Sequence, residues 1–167
     1  MDYNWLFLFV AALVPMLTGF IWYHPKVFGA QWMKLNQFTE AELQKGNMAL
    51  ILGVTYLLSV FLSMGLIGMV IHQFGVEGLF TPRAGESDAI ASELKAMVEP
   101  IRANYSERYR YFGHGALHGG LAALMVALPV VGINALFERR GWKYTAIHTG
   151  YWFLTLALMG GILCQFL

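Results

Sequence analysis

Three of the five histidines are spaced and positioned for metal chemistry. His114 and His118 are four residues apart in Gly113-His114-Gly115-Ala116-Leu117-His118-Gly119-Gly120. On a helix this spacing puts both imidazoles on one face, an arrangement suited to zinc or haem ligation. His72 lies near the end of the preceding apolar run, so antiparallel packing of the two runs would bring it to the same end of the molecule. His72, His114 and His118 are therefore the candidate metal ligands, with haem as the other cofactor of matching chemistry. The pattern lacks the glutamate of a His-Glu-x-x-His metalloprotease, and no Asp, Glu or Cys lies in these runs to complete a donor set. The expected role of these imidazoles is hydrogen bonding to neighbouring helices or to lipid headgroups with no resident cofactor, and metal or haem binding is the alternative. His24 and His148 belong to the opposite end.

The elements that must carry these groups follow from the charges. Only 13% of residues are charged, 57% are apolar, and mean hydropathy is +0.54. Residues 3–25, 46–76, 111–137 and 144–167 contain no Asp, Glu, Lys or Arg. Each run exceeds the roughly 20 residues that a helix needs to cross a bilayer core. The expected fold is an all-α membrane protein comprising residues 1–167 as one domain. Its four transmembrane helices, about 3–24, 47–75, 112–137 and 144–166, form two antiparallel hairpins. This excludes a soluble enzyme and a nucleic-acid binder. It also excludes a disulfide scaffold, because Cys164 is the only cysteine and lies in the last span. The first span lacks the basic segment and small-residue cleavage site of a signal peptide, so it is expected to be retained.

The second run is longer than one bilayer requires and is expected to tilt or to project its ends into water. Pro15 and Pro129 are positioned to kink spans one and three, and Pro25 to end the first helix at His24. Thr39-Glu40-Ala41-Glu42 reads as a helix start with acidic residues in its first turn. The extramembrane segment 77–110 has an N-cap at Ser87-Asp88, followed by Ile90, Leu94, Met97, Val98 and Ile101 on one stripe. That pattern predicts an amphipathic surface helix, bent or ended at Pro100. Basic residues are denser in the connections after spans one and three (Lys26, Lys34, Lys45, Arg139, Arg140, Lys143) than in 77–110, which carries Arg83, Lys95, Arg102, Arg108 and Arg110 with six acidic residues. This places both termini and the 77–110 loop on the non-cytoplasmic side.

Two further patterns concern packing and anchoring. Gly115, Gly119 and Ala123 recur at fours, with Gly120 alongside, and small residues so spaced let two helix backbones approach closely, within the bundle or against a second subunit. Thr55, Ser59 and Ser63 form a hydroxyl stripe suited to bonding carbonyls one turn back. At the end of span one, Gly19-x-x-Trp22-Tyr23-x-Pro25-x-x-Phe28-Gly29-x-x-Trp32 combines interface aromatics, a proline turn and a glycine bend; with Trp142 these residues are expected to anchor the membrane interface. This stretch, the small-residue third span and the short basic turn Glu138–Lys143 resemble an uncharacterised four-helix bacterial membrane family, the domain of unknown function 1761. The resemblance leaves out residues 77–110. It implies the fold and a location in the bacterial inner membrane, and no catalytic residue.

No serine with a plausible base, paired carboxylates or nucleotide loop supports an enzyme. The missing mid-bilayer charge and the small-residue faces lead to a structural or accessory subunit of a membrane assembly, hetero- or homo-oligomeric, with the lipid bilayer and other membrane subunits as partners. A small-solute or ion transporter working through the proline kinks is the alternative. A metal or haem subunit built on His72, His114 and His118 is the second.

Overall fold

The computed structural model describes residues 3–167; Met1 and Asp2 lie outside the described residues. Helices dominate, and no strand occurs among the described residues. In chain order they are α1 (Leu6–Ala11), α2 (Val14–Trp22), a π-turn (Pro25–Gly29), α3 (Ala30–Asn36), α4 (Glu40–Leu43), α5 (Met48–Val70), α6 (His72–Leu79), α7 (Asp88–Tyr105), α8 (Phe112–Ala122), a second π-turn (Ala123–Ala127), α9 (Leu128–Phe137) and α10 (Trp142–Phe166). Three stretches, Met48–Val70, Phe112–Phe137 and Trp142–Phe166, are long and apolar enough to cross a membrane. Leu6–Trp22 joins Pro25–Asn36 through a 56° bend, and together they qualify as a fourth if the pair is one span.

Prolines explain three of the interruptions. Pro15 has no N–H to offer the Ala11 carbonyl, and the chain breaks at Ala12 and Leu13 before resuming as α2. Before Pro25, His24 is extended (φ −64°, ψ 140°), as steric clash with the proline ring requires. Ahead of Pro129 the helix widens into the Ala123–Ala127 π-turn, which gives the proline ring room without ending the span.

Two expectations need correcting. The second span does not run helically to residue 75: α5 stops at Val70, Ile71 is extended (φ −115°, ψ 96°), and α6 starts afresh at His72. Val70 and Ile71 are β-branched and lose little by leaving helical geometry, and both side chains are buried in the core cluster. Pro100 does not end the surface helix, because α7 continues through it to Tyr105. The carbonyl that Pro100 leaves without a donor belongs to Ala96, an exposed residue that water can serve. The N-cap of α7 is as expected, with Ser87 Oγ accepting from the Ile90 N–H. So is that of α4, where Thr39 and Glu42 form a reciprocal capping box.

The core lies around α10, the most buried of the long helices, which contacts α1, α2, α5, α8 and α9. Its largest interface is with α8. A Cβ at Gly115 would collide with the Gly160 carbonyl and Cys164 Cβ, and one at Gly119 with the Leu156 carbonyl. Gly120 faces the Phe153 ring, and Ala123 is fully buried. The small-residue face of α8 is thus occupied by α10 of the same chain. Thr18 Oγ and Thr155 Oγ lie 2.8 Å apart between α2 and α10, and Tyr151 OH donates to the Pro15 carbonyl at 2.8 Å.

Candidate metal centre

The break at Ile71 swings His72 onto α8. His72 heads α6, while His114 and His118 occupy successive turns of α8. The ring centroids are 4.9 Å apart for His72–His114, 4.8 Å for His72–His118 and 4.5 Å for His114–His118. One ligand nitrogen from each ring lies within 4.8 Å of the other two, and His72 Nε2 and His114 Nε2 are 3.1 Å apart. That distance serves an N–H···N hydrogen bond, one ring donating and the other accepting. It is also near the ~3.3 Å that separates two nitrogens on a tetrahedral ion with metal–nitrogen bonds of about 2.0–2.1 Å. His118 offers its nitrogen within 4.8 Å of the other two, so a three-nitrogen site requires the rings to close further on an ion. Three imidazoles suit zinc, copper, nickel or cobalt, and a tetrahedral ion held by three protein donors takes an exogenous ligand in its remaining position. Haem fits less well, since three rings within 5 Å leave no slot for a macrocycle between them.

The surroundings hold this corner of the molecule together. The Tyr109 ring stacks on His114 (5.2 Å, 21°) and Tyr111 lies 5.8 Å away. Tyr109 itself sits at φ 63°, a left-handed conformation that a non-glycine residue adopts at some cost. It is held there from two sides. The Gln73 side-chain amide lies 3.1, 3.1 and 2.7 Å from the carbonyls of Tyr105, Ser106 and Arg108, serving oxygens that the end of α7 leaves without helical partners. From the other side Cys164 Sγ donates to the Tyr109 carbonyl, and Arg110 Nε donates to the Cys164 carbonyl at 2.7 Å. Arg102 pairs with Glu77 at 2.9 Å and ties α7 to α6 a second time. Within the amphipathic stripe Val98 is buried and Ile101 is half-buried, while Ile90 and Met97 stay exposed.

Gln73 and Tyr109 were not identified as site residues from the sequence. Gln73 is an uncharged residue beside His72 in an apolar run, and Tyr109 reads as one more interface aromatic. No spacing connects either to His114.

At the other end, the Trp22–Trp32 stretch folds onto α10. Trp22 Nε1 donates to the Ile147 carbonyl at 3.0 Å, and Tyr23 OH lies 3.1 Å from His148 Nδ1. Trp22 stacks near Phe28 (4.5 Å), and Tyr23 meets Trp32 (5.4 Å) and Tyr151 (5.3 Å). Gly29 is required sterically, because a Cβ there would meet the Tyr23 carbonyl. Pro25 is exposed at the bend, and Trp142 is 73% exposed at the start of α10. His24 and His148 take no part in the three-histidine cluster.

This aromatic fold lies within a chain-long family match: the model described as "Protein of unknown function (DUF1761)" covers residues 6–164. The chain belongs to that family. The matched range encloses residues 77–110, so the resemblance is broader than the motifs alone indicated. No curated protein and no solved structure matches the chain. For a DUF1761 protein the chemistry must therefore be argued from the two clusters themselves, and only the histidine cluster offers several donor atoms to a single point.

Proposed function

We propose that this chain is a four-span bacterial inner-membrane protein that holds one divalent transition-metal ion through His72, His114 and His118. The spans pair as two antiparallel hairpins, with both termini and the 77–110 segment on the non-cytoplasmic side. In that orientation the ion lies at the outer face, within reach of the periplasmic metal supply. The observation that carries the reading is the convergence of three imidazole nitrogens within 4.8 Å, brought together from two helices. The helix break that delivers His72 has no counterpart in the apolar pattern of the run, and it turns the one histidine of α6 towards the other two.

The chain then acts as a metal-carrying subunit and not as an enzyme in its own right. Assembly with other subunits remains compatible with this role, but the small residues of α8 no longer argue for it, because α10 fills their face. Among the described residues the only hydrogen bond made by these rings is that between His72 and His114. Without outer partners to orient the ligands, the affinity should fall roughly 10–100-fold short of a fully buttressed site.

The test is a titration of the purified, chelator-stripped full chain in mild detergent with Co(II), followed optically and then displaced by Zn(II). One tetrahedral Co(II) per chain is expected. His72→Ala, His114→Ala and His118→Ala should each abolish the tetrahedral spectrum, whereas His24→Ala should keep it. Protons compete for the imidazoles, so uptake should weaken as the pH falls through the histidine range. Uptake that is absent, or equal in all four variants, would refute the reading.

A further inference from the structure

Beside the histidine cluster, between α6 and α7, lies a cavity of about 250 Å³. His72 and Tyr109 form part of its wall, so the cavity and the metal centre share a side chain and the cavity adjoins the stacked Tyr109–His114 pair. Val76, Val98, Ile101 and Tyr105 give it apolar walls, and Gln73, Glu77, Arg102 and Arg108 complete the lining. Two cations stand on it, and they differ. Arg102 is neutralised by Glu77 at 2.9 Å. Arg108 has no carboxylate within 4.0 Å among the described residues; its guanidinium leans on the Tyr105 and Tyr109 rings at 5.8 and 5.1 Å and reaches Tyr109 OH at 3.4 Å.

An apolar cleft in which Glu77 is taken up by Arg102 and Arg108 is left without a carboxylate partner favours an apolar molecule bearing one negative charge. Its volume falls below the roughly 300–1,000 Å³ of sites for drug-sized ligands, so the molecule is small. We propose that this cavity binds a medium-chain carboxylate, its hydrocarbon body against Val98, Ile101 and Tyr105 and its carboxylate at Arg108, next to the metal ion. The proximity to a metal rests on the function proposed above; the apolar walls and the cation do not.

The experiment uses the full chain in phospholipid nanodiscs, with empty nanodiscs subtracting membrane partition. Octanoate is titrated calorimetrically into apo and Co(II)-loaded protein, with octanol as the neutral comparison. Octanoate should bind both forms and shift the Co(II) spectrum of the loaded one. Arg108→Gln should weaken octanoate about tenfold, the loss of one charge-assisted hydrogen bond, and leave octanol unchanged. Val98→Trp, which fills the chamber from the α7 side, should weaken octanoate and octanol together. Octanoate that binds no better than octanol, or is indifferent to both substitutions, overturns the cavity assignment even where Co(II) binds normally. Octanoate binding that responds to Arg108→Gln in a chain that takes up no Co(II) sustains the cavity and overturns the metal reading alone.

Discussion

Replacing Gly115 or Gly119 by alanine tests the interface that carries two of the three histidines. A Cβ on Gly115 would lie 2.7 Å from the carbonyl carbon of Gly160, and one on Gly119 would lie 2.6 Å from that of Leu156; ordinary contact begins near 3.4 Å. The obstructing atoms are backbone and, at Gly115, the Cys164 Cβ that rotation about χ1 does not move, so no side-chain rotation relieves the clash and α8 must move off α10 by at least about 0.7 Å. A gap of that size forfeits a quarter to a half of the dispersion attraction across it. In lipid no hydrophobic force between helices makes good the loss. Overpacking of this kind costs about 1–3 kcal/mol. At roughly 2–4 °C per kcal/mol for a chain of this length, a 2 kcal/mol loss lowers the melting temperature by about 4–8 °C. The assay is thermal unfolding of the detergent-solubilised chain, with Gly65→Ala and Gly68→Ala as references. Both reference glycines face open space, so their alanine variants should melt at or slightly above the parent. Gly115→Ala combined with Gly160→Ala should cost less than the sum of the two, because one helix displacement accommodates both methyl groups. Melting of Gly115→Ala and Gly119→Ala within error of Gly65→Ala would refute the reasoning.

Gln73→Leu keeps the approximate volume but removes the amide that serves the carbonyls at the end of α7. Amide exchange across residues 102–110 should accelerate by the roughly 1–3 kcal/mol of an unsatisfied polar end, and Co(II) uptake should weaken as Tyr109 loses its support; unchanged exchange would show that the amide holds nothing. Hydrogen bonds from the Thr39 backbone N–H, and then its hydroxyl, hold the Glu42 carboxyl below its usual range. Because the folded value is the lower one, the capping contribution to α4 is present above the ordinary glutamate range and is lost as pH falls through the folded value. Amide exchange at Glu42 and Leu43, followed by NMR from neutral to acidic pH, should show fraying on the acid side only, and Glu42→Gln should flatten the profile.

How much of this was legible in the sequence depends on separation along the chain. His114 and His118 share a helix, and helical periodicity alone pairs them. His72 was only assigned to the right end of the molecule, because its approach depends on the extended geometry of Ile71 within a run that reads as uninterrupted helix. Pro15, Pro25 and Pro129 marked their breaks in advance, since a missing N–H acts locally. At Pro100 the same chemistry had no such effect, because the Ala96 carbonyl faces solvent. Trp22 and Tyr23 read as residues anchoring the chain at a bilayer surface. Their hydrogen bonds to Ile147 and His148 span 125 residues, and nothing local announces them. Gly115 and Gly119 declared a close helix contact without naming the partner, which proved to be α10.

These separations bear on how the site works. His114 and His118 ride on the helix most firmly packed against α10, whereas His72 stands at the start of a short helix fastened mainly by Gln73, Glu77 and the aromatic contacts of Phe74 with Tyr3 and Trp5. Two of the candidate ligands are therefore set by the bundle and the third by the α6–α7 layer that also lines the cavity. A metal ion bridging the three would cross-link that layer to the bundle, and so should protect residues 72–110 from amide exchange more than it protects α8 or α10. Anything entering the cavity contacts the same layer and His72, which forms part of its wall. If both bind as proposed, metal occupancy and cavity occupancy are coupled through His72, and by linkage whatever factor octanoate imposes on Co(II) affinity, Co(II) must impose on octanoate.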